Sequence, residues 1–91
     1  MIKIEPHTIE RALERGTTSE EIFDTINNGV FGIAKKDRFL KYKIFIFNDI
    51  RNGKYYKHKK VEVIFKKEES TFITITVYVY YGTWEEMKDD N

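Results

Sequence analysis

The 91-residue sequence contains no cysteine, a single proline and only two histidines, His7 and His58. Without cysteine there is no disulfide framework and no thiolate metal site. Two histidines are too few for a multi-histidine centre, and no set of Asp and Glu falls at metal-ligand spacing. No metal and no cofactor are therefore expected. A glycine-rich phosphate loop is lacking as well. No apolar run approaches the roughly 20 residues that a membrane helix needs. Met1-Ile-Lys-Ile leads into a charged, amphipathic segment rather than an apolar core, so no secretory signal is expected. A cytoplasmic protein that makes no membrane contact is the expectation, with an exported toxin domain left open.

Length points to one domain, residues 1–91, with 85–91 a charged, frayed tail. The most ordered stretch is Thr71 to Trp84, TFITITVYVYYGTW. It alternates with period two, as a strand with one buried face does. Ile73, Ile75, Val77 and Val79 should face the core. Thr74, Thr76, Tyr78 and Tyr80 line the other side with four hydroxyls. Buried hydroxyls need partners, so such a row suits a surface that meets a polar ligand. It also suits the outer face of an antiparallel sheet, or a face buried under the helices with its hydroxyls satisfied.

Ahead of that strand the pattern is helical. Pro6 suits a first helical turn, and Ile9, Ala12 and Leu13 form an apolar stripe that Gly16 ends. His7 and Arg11 share the opposite face, with Arg15 one turn further on. Thr18 and Glu21 have capping-box spacing for a second helix over about 19–28, stopped by Asn28-Gly29. Strands are expected at 30–34, 39–47 and 61–67, with a turn at Lys36-Asp37. Residues 48–60, containing Asn52-Gly53, read as a basic, tyrosine-rich loop in which His58 is solvated. The order predicts an α+β fold, with two N-terminal helices packed on a four-stranded antiparallel sheet.

Net charge is +1, but it is unevenly spread. Residues 1–34 carry −3, residues 35–67 carry +9, and residues 68–91 carry −5. A basic middle third with interleaved Tyr and Phe fits a phosphate-binding surface. It equally fits the solvent face of amphipathic strands. His7 and Arg11 together supply a proton-transfer group and a phosphate fork, or are ordinary surface residues. Trp84 is either a stacking platform or a lid on one end of the core.

The run His7-Thr-Ile-Glu-Arg11-Ala-Leu-Glu-Arg15-Gly16, a capped second helix and Thr76-Val77-Tyr78 resemble a small bacterial family of unassigned function. That family is similar to RelE/ParE-type toxins and to the barnase, EndoU, colicin and RelE group of ribonucleases. The resemblance implies a RelE-like fold and metal-independent cleavage of tRNA or mRNA to a 2′,3′-cyclic phosphate. By position it implicates His7, Arg11, Thr76 and Tyr78 as catalytic. It adds Arg15 at the RNA; Lys41 and Lys43 join as RNA-binding candidates by strand placement alone, and Tyr80 and Trp84 as rings that stack on a base. It also implies an antitoxin or immunity protein as partner. A non-catalytic module of the same fold, binding nucleic acid or a protein such as gyrase in the manner of ParE, is the alternative.

Overall fold

Helix α1 (Pro6–Arg15) ends at Gly16, whose φ of 93° is left-handed and whose N–H reaches the Ala12 carbonyl at 2.8 Å. Helix α2 (Ser19–Asn28) is capped by Thr18, whose hydroxyl accepts the Glu21 N–H at 3.1 Å. The capping box stays half closed. The Glu21 carboxylate turns away to accept the Thr17 hydroxyl and to pair with Lys59, each at 2.8 Å. Gly29 ends α2 with extended backbone, φ −80° and ψ −178°. Glycine is needed there because a Cβ would press on the carbonyl oxygens of Thr25 and Tyr42.

The computed structural model describes residues 1–84, so the tail expected at 85–91 lies outside the described residues. The remaining elements are β1 (Ile2–Lys3), β2 (Val30–Phe31), β3 (Phe39–Arg51), β4 (Lys54–Glu68) and β5 (Thr71–Gly82). They form one sheet of order β1-β5-β4-β3-β2. The fold is α+β, but the expected four-stranded antiparallel sheet is five-stranded and mixed. Ile2 and Lys3 add on parallel to β5, opposite Phe72 and Ile73. The sequence reads Ile2 to Glu5 as extended or a short lead-in, but two residues are too few to show the period that would mark a sheet strand.

Residues 48–60 are not a loop. Asn52 and Gly53, at φ 53° and 82°, make the two-residue turn of a hairpin whose strands run on as β3 and β4. His58 is accordingly buried at 3% exposure, not solvated. The first expected strand contracts to Val30–Phe31, while the turn at Lys36-Asp37 forms with Asp37 at φ 66°.

A bulge divides β5. Phe65 pairs with Thr74 and Ile64 with Thr76, leaving Ile75 as an extra residue. The inward set therefore changes parity along the strand. Phe72 and Thr74 face the helices before the bulge, and Val77 and Val79 after it. The even-numbered hydroxyl row splits in the same way: Thr74 is buried, whereas Tyr78 and Tyr80 are exposed.

Both helices pack on one face of the sheet. The core there joins Ala12, Ile22 and Ile26 to Val61, Val63, Phe65 and Val77. Helix α1 presents Thr8 and Ala12; of the expected stripe only Ala12 is buried, while Ile9 and Leu13 are 41% and 77% exposed. Its rotation is set by a buried hydroxyl pair, Thr74 donating to Thr8 at 3.0 Å. No described helix is long and apolar enough to cross a membrane.

Candidate nucleic-acid interface

The other face of the sheet is uncovered by helices. Register aligns three cross-strand rows there: Leu40–Ile64–Thr76, Tyr42–Glu62–Tyr78 and Ile44–Lys60–Tyr80. Lys60 Nζ lies 3.5 Å from the Glu62 carboxylate and 4.7 Å from the centre of the Tyr42 ring. Burial, and after it the negative charge of Glu62, raises the Tyr80 phenol above its ordinary pKa.

One edge of this face is built by α1. Strand β1 covers β5 only at Phe72 and Ile73, so the next outward carbonyls need other partners. His7 Nε2 donates to the Ile75 carbonyl at 2.7 Å, and Arg15 Nη1 donates to the Val77 carbonyl at 2.7 Å. A carbonyl only accepts, so Nε2 carries the proton and the neutral ring keeps its lone pair on Nδ1. That ring is solvent-exposed. The Arg15 guanidinium sits 5.0 Å from the centre of the Tyr78 ring. Arg11, between them on the helix, pairs with Glu14 at 3.2 Å on the exposed surface.

At one end of the open face lies a cavity of about 580 Å³. Its floor is Leu40, Ile64 and Ile75, with Thr76 and Tyr78 on one side. Its rim is the segment after β2, which contributes Ile33, Ala34, Lys35 and Arg38.

The expected residues divide accordingly. His7 and Arg15 anchor to the Ile75 and Val77 carbonyls along the outer edge of β5, on either side of Thr76, with Arg15 over the Tyr78 ring, and Tyr80 continues the exposed face. Lys41 and Lys43, expected at the RNA, lie on the helix side instead. Lys41 Nζ donates to the Ile26 carbonyl at 2.8 Å, and Lys43 Nζ pairs with Asp24 at 2.6 Å. Trp84 folds back at the far end, its backbone N–H donating to His58 Nδ1 at 3.0 Å and its ring against Gly82.

Lys35, Arg38, Lys60 and Glu62 escaped the sequence reading. Lys35 and Arg38 flank the turn that was legible, but nothing local says that this turn overhangs Thr76. No family model matches the chain, and no curated protein or solved structure matches it.

Proposed function

We propose that the open face binds single-stranded RNA and that the chain cleaves it without metal, as the RelE-type ribonucleases it resembles do. The supporting observation is that His7 and Arg15 bond the Ile75 and Val77 carbonyls, flanking Thr76 along β5, with Arg15 over the Tyr78 ring at the edge of an uncovered sheet face. Exposed aromatic rings stack on unpaired bases, and cations beside them hold the phosphates.

In the proposed reaction His7 Nδ1 takes the proton from a ribose 2′-hydroxyl. The 2′-oxygen attacks phosphorus, the bond to the 5′-oxygen breaks, and water protonates the leaving oxygen. The product is a 2′,3′-cyclic phosphate. Arg15 spends one N–H on Val77 and keeps others for the non-bridging oxygens of the transition state. Thr76 and Tyr78 donate to the same oxygens. Arg11 adds a second guanidinium, because its exposed pair with Glu14 is weak. An antitoxin or immunity protein belongs to this proposal as partner.

The test is RNA integrity in EDTA with the wild type and His7→Ala. The wild type should leave cyclic-phosphate ends, and His7→Ala should be slower by about 10²–10⁴-fold. RNA that binds but stays intact with the wild type selects the non-catalytic alternative. RNA that neither binds nor breaks removes the proposal.

A further inference from the structure

We infer that the cavity at the end of the open face is a nucleotide pocket: it takes one splayed-out base of a single-stranded RNA, with the adjoining phosphate held by Lys35 and Arg38. The inference rests on the proposed RNA reading and supplies what that reading leaves out, the group that positions the strand.

Size comes first. About 580 Å³ lies within the roughly 300–1,000 Å³ typical of small-ligand sites. The floor is aliphatic and comes from three adjacent strands through Leu40, Ile64 and the bulge residue Ile75. A flat base buries its faces well against branched aliphatic side chains. Thr76 and Tyr78 close one side, so the base in the cavity sits next to the hydroxyls that face the reacting phosphate.

Charge comes second. The turn closed by Arg38 N–H to the Lys35 carbonyl, at 3.1 Å, puts both cations on the cavity wall. Asp37, inside the same turn, does not line it. An apolar slot with two cations on its rim matches a base joined to a phosphate, whereas an uncharged apolar ligand would leave both cations without a counter-charge.

Position comes third. Tyr78 lines the cavity and also lies under the Arg15 guanidinium. A strand with one base in the cavity therefore passes the edge where His7 and Arg15 stand. A duplex keeps its bases stacked inside and offers none to a slot of this kind, so the pocket selects single strands.

The test measures binding of a fluorescent single-stranded RNA, and of its duplex, by anisotropy across salt concentrations. Lys35→Ala/Arg38→Ala should weaken single-strand binding by about 10–100-fold and flatten the salt dependence by about 1.4 in log–log slope. Ala34→Trp fills the cavity without touching a charge. It should weaken binding about 10-fold and leave the slope unchanged. Lys67→Ala, an exposed cation away from the cavity, is the control and should shift affinity less than 3-fold. Pocket variants that bind like the wild type, while Arg15→Ala and Tyr80→Ala lose affinity, overturn the pocket and spare the RNA reading. Equal binding of duplex and single strand by the wild type also overturns it. No binding by any form removes both. Circular dichroism of each variant confirms that a loss is not unfolding.

Discussion

The two faces of the sheet use the same residue types to opposite ends. On the helix side, polar groups are paired inside the fold. Thr74 accepts from the Glu5 N–H and donates to Thr8, and Lys59 holds both Glu21 and the Gly16 carbonyl. On the open side, Thr76, Tyr78 and Tyr80 make no side-chain hydrogen bond among the described residues. Thr74 and Thr76 are two residues apart on one strand, yet one is an internal fastener and the other faces outward. The bulge at Ile75 separates these roles. Chemistry of the side chain alone therefore does not mark a functional surface; what it is already bonded to does.

The contrast can be broken most forcefully on the helix side. Glu21→Gln leaves Lys59, whose side chain is 10% exposed, without its counter-charge. Unfolding in urea should show a loss of about 3 kcal/mol, with RNA affinity unchanged below the melting transition. The paired substitution Thr74→Val against Thr76→Val sharpens the comparison. The first strands the Thr8 hydroxyl and the Glu5 N–H and should cost about 2 kcal/mol. The second should change stability by less than about 0.5 kcal/mol and fall instead on RNA binding or cleavage.

The smallest effect is at the partly exposed Lys43–Asp24 pair. Hydrogen bonds from Lys43, then Asn28, hold the Asp24 carboxyl below its ordinary 3.8. A depressed carboxylate stabilises above its unfolded pKa, and that contribution is lost as pH falls through the folded value. Asp24→Asn should thus cost about 0.5 kcal/mol near pH 7 and progressively less below pH 3.8. A deficit that grows in acid would reverse the sign assigned to this pair.

The helices were legible because their signals are local. Pro6, Gly16, Thr18 and Gly29 each act within a few residues, and both helix spans follow from them. The outward direction of Tyr78 and Tyr80 was legible from period two. Four features were not, because each depends on a distant partner. The parity switch at Ile75 needs the register with Phe65 and Ile64. Lys41 and Lys43 alternate like solvent-facing residues, but their ammonium groups find the Ile26 carbonyl and Asp24 across the helix layer. The stripe of Ile9 and Leu13 gave way because Thr8, His7 and Arg15 all bond to β5 and fix the rotation of α1. The run KYYKHKK hid a strand whose buried positions, His58 and Lys59, are a histidine and a paired lysine rather than aliphatic residues.

The most direct measurement is amide chemical-shift mapping of the protein titrated with a short single-stranded RNA. Perturbations should cluster at 33–40, 60–64 and 75–80, with α2, on the opposite side of the sheet, unmoved. Shifts confined to the helix layer, or to the hairpin tip around Ile50 and Tyr55, would contradict the assignment of the open face as the RNA surface.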